Sequence, residues 1–157
     1  MSVLRFFNRQ KTRPLNLPLL RKIGRSLLGE LSPQNSFALG IHLIDAAEMT
    51  RLNETFLQHR GSTDVITFNY AELEHSEKML GEIFISVDDA IAHARLFRTT
   101  WQSEVVRYFV HGILHLQGYD DLKTAPRQKM KREENRLLKK LSREFDLGKL
   151  ERSRKTQ

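Results

Sequence analysis

Hydrophobic residues recur along this chain at two spacings, one typical of strands and one typical of helices. Within the segment 36–44, Phe37, Leu39, Ile41 and Leu43 alternate with other residues, as they would on one face of a strand. Three further segments share this strand character, namely 3–7, 64–70 and 80–87. The pattern therefore predicts a small set of strands.

Helical spacing accounts for most of the remaining chain. Leu15, Leu19, Ile23 and Leu27 follow one another at intervals of four and indicate a first helix over 14–31. Near the other end of the sequence, a last helix is predicted over 126–145, with a strongly basic outer side.

Acidic residues mark the starts of two shorter helices, each directly after a predicted strand. Asp45 stands where a helix N-cap belongs, ahead of a segment that runs to about Leu57. Asp88 and Asp89 stand at an N-cap and in a first turn, ahead of a helix that passes through Leu96.

The segment from Trp101 to Gln117 is the most apolar helix that the sequence predicts. Its apolar residues cover most of the helix circumference: Val105, Val106, Phe109, Val110, Ile113, Leu114 and Leu116. A helix that is apolar nearly all round is buried, so we expect this one at the centre of the molecule. Gly118 follows in the position of a C-terminal cap.

Strands and helices are mixed along the chain without regular alternation, which favours an α+β fold. We expect a small mixed sheet of about four strands flanked by helices, with the 101–117 helix buried at the centre. A length of 157 residues fits one domain spanning 1–157. The absence of cysteine excludes a disulfide framework and thiolate metal sites.

Basic residues are concentrated near the end of the chain. The formal net charge is +7, and 13 of the 26 lysines and arginines lie between Lys123 and Lys155. A basic C-terminal helix and tail therefore begin at about Lys123. Such a run is either a solvated helix face or a surface for a polyanion such as nucleic acid.

The composition also indicates where the protein works. Hydrophobic residues make up 39% and charged residues 29%, as in an ordinary soluble domain. No apolar run is long enough to cross a bilayer, and the first ten residues lack the apolar core of a secretory signal. We therefore expect a cytoplasmic protein with no membrane partner.

Two histidines on the central helix are the first sign of chemistry. His111 and His115 stand four residues apart, so both project from one face and can bind one ion. The competing interpretation is a pair of core histidines bonded to backbone or water. Asp120 and Asp121 follow the turn at Gly118, and a third ligand from this loop would leave one open position, as in catalytic zinc sites.

The segment HGILHLQGYDD, at 111–121, resembles the signature of the YbeY family, in which a third histidine stands at the last position. The similarity continues upstream in LNETFLQHRGSTDVITF, at 52–68, and in LGEIFIS, at 80–86. The resemblance implies a small sheet flanked by helices. It also implies a single-strand-specific, metal-dependent endoribonuclease that matures the 3′ end of small-subunit ribosomal RNA and acts in ribosome quality control.

By this resemblance, one Zn²⁺ would be held by His111, His115 and Asp121. Asp121 occupies the position of the family's third histidine, and two histidines with one carboxylate are a known catalytic zinc set. Asp120 is the alternative third ligand. It matches an aspartate of the family motif, whose expected role is to orient the loop or a ligand.

A second departure from the family concerns an arginine. Many relatives carry an arginine after the aromatic residue that here is Phe56, but this chain has Leu57 at that place. Arg60 lies three residues further on, and we take it as the candidate catalytic residue that stabilises negative charge on the phosphate. The competing interpretation is an exposed loop arginine.

The partners that the resemblance implies are single-stranded RNA, ribosomal RNA and components of the small ribosomal subunit. Two other functions stay open: a ribosome-associated RNA-binding factor with a structural or vestigial metal site, and a metal-dependent hydrolase of another substrate. Gly112 stands where a zinc protease motif has glutamate, which counts against peptide hydrolysis.

Overall fold

The computed structural model describes residues 2–32, 34 and 36–153. Within them, one mixed sheet is formed by the strands β1 (Val3–Asn8), β2 (Phe37–Ile44), β3 (Val65–Asn69) and β4 (Met79–Ser86). The strand order is β1-β2-β4-β3, in which β1, β2 and β4 run parallel and β3 runs antiparallel to β4. The predicted α+β fold with about four strands is confirmed.

Five α-helices surround this sheet in the described part of the chain. They are α1 (Leu17–Leu31), α2 (Ala46–Leu52), α3 (Val87–Phe97), α4 (Trp101–Leu116) and α5 (Thr124–Glu144). A π-helical segment, Asn53–Leu57, continues α2, and a short 3-10 helix, Leu147–Leu150, follows α5. None of the described helices combines the length and apolar character needed to span a membrane. The end of the predicted basic tail, including Lys155, lies outside the described residues.

Side-chain caps fix where two helices begin, and both starts differ from the prediction. The side chain of Asn16 accepts a hydrogen bond from the Leu19 amide at 3.2 Å, so α1 begins at Leu17 and not at position 14. The N-cap of α3 is Ser86, whose Oγ accepts from the Asp89 amide at 3.1 Å. The prediction of Asp88 as the cap is wrong, because its carboxylate is held elsewhere by the Ala46 amide and the Thr12 hydroxyl.

The helix α4 lies against the sheet and is buried, as predicted. Phe109 and Ile113 of α4 are fully buried in one core with Ile83 and Ile85 of β4. The helix packs closely on the strand at Gly112, where an added Cβ atom would lie 2.8 Å from the side chain of Ile83. Close packing against β4 therefore explains why the residue directly after the first histidine is glycine, since a larger side chain would not fit there.

Candidate metal centre

The helix α4 and the turn after it bring three potential ligand atoms together. His111 and His115 lie one turn apart, and Gly118, with a φ of +97°, reverses the chain so that Asp121 returns to the helix. The two Nε2 atoms are 3.1 Å apart, and the Asp121 Oδ2 atom lies 3.5 Å from that of His111 and 3.4 Å from that of His115.

The outer nitrogens of both rings determine what the inner nitrogens can do. The Nδ1 atom of His115 faces the carbonyl oxygen of Tyr119 at 3.1 Å, and the Nδ1 atom of His111 faces the Glu134 carboxylate at 2.8 Å. Carbonyl and carboxylate oxygens only accept, so both Nδ1 atoms carry hydrogen. In the neutral rings, two Nε2 lone pairs then converge on the Asp121 oxygen. Such a group of acceptors is satisfied by a shared cation, so these residues fit a metal ion.

Glu134, from α5, is the buried carboxylate that orients His111. Only 4% of it is exposed, and it also accepts from Arg107 Nη1 at 2.8 Å. Burial alone would raise its pKa, but the hydrogen bonds with His111 and Arg107 outweigh burial and lower the pKa of Glu134 to about 2. Glu134 is therefore ionised at neutral pH and holds the ring with a charge-assisted hydrogen bond.

The same carboxylates make the surroundings of His111 favourable for positive charge. Burial lowers the pKa of His111, but the hydrogen bond to Glu134 and the negative charges of Glu134 and Asp121 prevail, so its pKa is raised. A divalent cation between the rings would benefit from the same charges.

The two rival aspartates occupy different places. Asp121 belongs to the group of ligand atoms that all lie within 4.8 Å of one another with His111 and His115. Asp120 is exposed, and its Oδ1 atom accepts from the Leu122 amide at 2.9 Å. The structure therefore brings Asp121, and not Asp120, to the two histidines.

A cavity of about 520 Å³ opens beside His111 and Asp121. Its walls come from the start of β3 and from the helices α3, α4 and α5, which contribute, among others, Asp64, His93, Arg107, Tyr108, Arg127 and Lys131. Two of these residues, Arg127 and Lys131, belong to the basic helix α5. The volume is typical of small-molecule sites, and it extends well beyond the space that one ion needs.

The predicted catalytic arginine lies elsewhere. Arg60 is exposed and lines a separate shallow depression with Glu54, Gln58 and His59, and it is not among the residues that line the cavity. Two other arginines line the cavity: Arg107, one turn before His111 on α4, and Arg127 on α5.

Sequence reasoning missed both Arg107 and Glu134, although each left a signal. Arg107 precedes His111 by four residues and therefore shares its face of the helix. Glu134 stands on the buried face of α5, which is otherwise apolar: Met130, Leu137, Leu138 and Leu141. A buried acidic residue on the apolar face of an amphipathic helix needs a hydrogen-bonding partner, and here that partner is His111.

Comparison with known proteins points to one family. A family model described as "Endoribonuclease YbeY" matches residues 5–142. An endoribonuclease YbeY from Aquifex aeolicus is 39% identical over 109 residues, which cover 69% of this chain and 73% of the relative. One from Salinibacter ruber is 36% identical over 106 residues, covering 64% and 68%.

A solved structure shares the architecture. The solution structure of TM1509 from Thermotoga maritima matches with a TM-score of 0.66 over 99% of both chains, at 23% sequence identity. At that identity the match supports the fold alone. The family match over most of the sequence, together with the curated relatives, shows that this chain belongs to the YbeY endoribonuclease family.

Proposed function

We propose that this protein is a metal-dependent endoribonuclease that cleaves single-stranded RNA and acts in the 3′ maturation of small-subunit ribosomal RNA and in ribosome quality control. The observation that carries the proposal is the convergence of His111, His115 and Asp121 beside a cavity that Arg107, Arg127 and Lys131 also line. Membership of the YbeY family supports RNA as the substrate.

The proposed cofactor is one Zn²⁺, held by the Nε2 atoms of His111 and His115 and by a carboxylate oxygen of Asp121. When bound, such an ion acts as a Lewis acid toward the phosphodiester and activates water. Glu134 and the Tyr119 carbonyl fix the two rings, so that their lone pairs are oriented before the ion arrives.

We propose Arg107 as the residue that stabilises negative charge on the phosphate. Its Nη1 atom is held by Glu134 and Asn135 at 2.8 and 2.9 Å, while its Nε and Nη2 atoms have no hydrogen-bond partner among the described residues. A guanidinium that is fixed on one side and free on the other is suited to a phosphate oxygen. Arg60, the arginine expected from the sequence, is the alternative for this role.

The rest of the RNA strand would bind along α5. Arg127 and Lys131 line the cavity, and contacts from such side chains to phosphates give weak sequence preference and strong salt dependence. As partners we propose ribosomal RNA and components of the small ribosomal subunit, in the cytoplasm.

A cleavage assay tests this function. We expect purified wild-type protein loaded with Zn²⁺ to cleave a single-stranded RNA. Loss of a residue that only supports a metal ligand lowers activity roughly 10- to 100-fold. His115→Ala removes a ligand itself, so we expect its cleavage activity to fall by more than that. The matched control is His75→Asn, a substitution at an exposed turn residue whose φ of 49° asparagine tolerates.

Three outcomes are informative. Equal activity in the wild type and His115→Ala would refute a catalytic role for the metal group, as we call His111, His115 and Asp121. Bound metal and RNA binding without turnover would instead indicate an RNA-binding factor with a structural metal site. Turnover of small esters without affinity for RNA would indicate a hydrolase of another substrate.

A further inference from the structure

The cavity beside the metal group has a second, aromatic half. There the Tyr108 hydroxyl lies 2.5 Å from the Nδ1 atom of His93, and the rings of His93 and Phe97 have their centroids 5.8 Å apart. Tyr108 is buried, whereas Phe97 is 62% exposed although it is a large apolar residue. All three residues line the cavity, so the exposed Phe97 ring, which has the His93 ring beside it, is accessible to a ligand in the cavity.

Polar groups adjoin these rings. Glu104 is only 5% exposed, and its Oε2 atom accepts from the Thr99 hydroxyl at 2.8 Å. Its Oε1 atom has no hydrogen-bond partner in the part of the chain that the structure describes, and Glu104 lines the cavity together with Arg107. An aromatic face next to one acceptor and one donor is the combination that binds a nucleobase by stacking and by its polar edge.

The position of this group relative to the metal group follows from helix geometry. Tyr108 precedes His111 by three residues and Glu104 precedes it by seven, on the same helix α4. At a rise of about 1.5 Å per residue, the two side chains lie roughly 5 Å and 10 Å along the axis from His111. A phosphate bound at the metal group would therefore place a neighbouring nucleoside at the aromatic half.

We propose that the aromatic half is a nucleobase subsite, in which one base next to the cleaved phosphodiester stacks on Phe97 and donates a hydrogen bond to Glu104. The subsite rests on the proposed function, since it takes the ligand to be single-stranded RNA. The His93 ring lies beside Phe97 and is hydrogen-bonded to Tyr108.

Two neighbouring substitutions on α3 test the stacking contact. Phe97→Ala removes the exposed ring, and Leu96→Ala removes a side chain that is 71% exposed and does not line the cavity. Because both side chains are exposed, both variants should keep the wild-type unfolding temperature. The probe is fluorescein-labelled hexaadenylate, titrated by fluorescence anisotropy in the presence of EDTA, so that binding is measured without cleavage and without metal.

We expect Phe97→Ala to weaken the binding of hexaadenylate on the order of tenfold, as loss of one base–aromatic stack does, and Leu96→Ala to leave it within roughly twofold. Equal weakening in both variants, or none in Phe97→Ala, would overturn the subsite. Failure of the wild type to bind hexaadenylate, both in EDTA and after loading with Zn²⁺, would overturn it as well.

A base-removal series locates the stacked nucleotide. Six hexaadenylates, each lacking one base, are titrated against the wild type and Phe97→Ala. At one position, loss of the base should weaken the affinity of the wild type on the order of tenfold. The affinity of Phe97→Ala should not fall further there, because its stacking partner is already absent. Losses that add at every position would show that Phe97 does not contact a base.

Cleavage by the zinc-loaded protein, measured in parallel, separates the subsite from the proposed function. Coupling between the base and Phe97 without any cleavage would support the subsite and contradict the proposed nuclease activity. Cleavage without that coupling would support the nuclease activity and contradict the subsite.

Discussion

At the scale of single residues, the side chains around the metal group differ in how they act. His111, His115 and Asp121 present ligand atoms to one point, whereas Glu134 acts through His111. The pKa of Glu134, lowered to about 2, reflects this: the carboxylate is buried, yet it stays ionised because His111 and Arg107 both donate to it. A buried negative charge of this kind fixes the proton on the Nδ1 atom of His111 and leaves its Nε2 atom free to bind the proposed metal ion.

Replacing Glu134 tests this role without removing a ligand. Glu134→Gln keeps the shape but loses the charge, so we expect the affinity for Zn²⁺ to fall about 10- to 100-fold in a competition assay with a chelating dye. Glu133→Gln is the matched control, because Glu133 adjoins Glu134 on α5 but bonds to Arg136 at the surface. Unchanged affinity in Glu134→Gln, or an equal loss in the control, would contradict the assigned role.

The two arginines make a second residue-scale prediction. Arg107→Lys keeps the positive charge but loses the fork of donors, and we expect the rate of RNA cleavage at saturating substrate to fall about 100-fold. Arg60→Lys should change this rate by less than about threefold, since Arg60 lies outside the cavity and surface substitutions have small effects. If Arg60→Lys lowered the cleavage rate more than Arg107→Lys, Arg60 would be the catalytic arginine, as expected from the sequence.

At the scale of elements, the packing of α4 on β4 determines where both histidines lie. The helix approaches the strand closely at Gly112, and an added Cβ atom would meet Ile83 at 2.8 Å. A side chain there would force either the Ile83 side chain or the helix to shift, and a shift of the helix would move His111 and His115. Glycine at this position is thus a packing requirement, and it separates this helix from the zinc protease motif.

Alanine substitutions measure this constraint. We expect Gly112→Ala to lower the free energy of unfolding by about 1–3 kcal/mol in urea denaturation, because overpacking outweighs the gain in helix propensity. The control is Gly29→Ala in α1, where an added Cβ atom meets nothing within 4 Å and a gain of up to about 1 kcal/mol is expected. Equal stabilisation by both substitutions would show that α4 has room at Gly112.

At the scale of the whole molecule, the basic helix α5 closes one side of the cavity and supplies charge for a polyanion. Arg127 and Lys131 face the cavity, whereas Lys139 is exposed and is absent from its lining. Removal of one phosphate contact should reduce the slope of log affinity against log salt by about 1. We expect this for Arg127→Gln in titrations with single-stranded RNA at several salt concentrations, and no such change for Lys139→Gln.

If the slope of log affinity against log salt falls equally in both variants, RNA binds along the whole positively charged face of α5 and not specifically at the cavity. An unchanged slope in both variants would favour the solvated helix face, which was the competing interpretation of the basic run.

Local patterns in the sequence predicted much of this molecule. Asp45 caps α2 as expected, and the spacing of His111 and His115 placed both on one face of the buried helix. The features that escaped prediction depend on contacts between distant segments. Glu134 contacts His111 only because α5 packs on α4. The Asp88 carboxylate does not cap α3 because it accepts a hydrogen bond from the Ala46 amide. A single sequence carries no direct signal for such pairings.

The most direct test of the account is the metal content of the purified protein, measured by elemental analysis after dialysis against a weak chelator. The wild type should retain about one zinc ion per chain. Asp120→Ala should retain as much, whereas Asp121→Ala should lose most of it. Retention of zinc by Asp121→Ala together with its loss from Asp120→Ala, or no bound metal in the wild type, would contradict a site built from His111, His115 and Asp121.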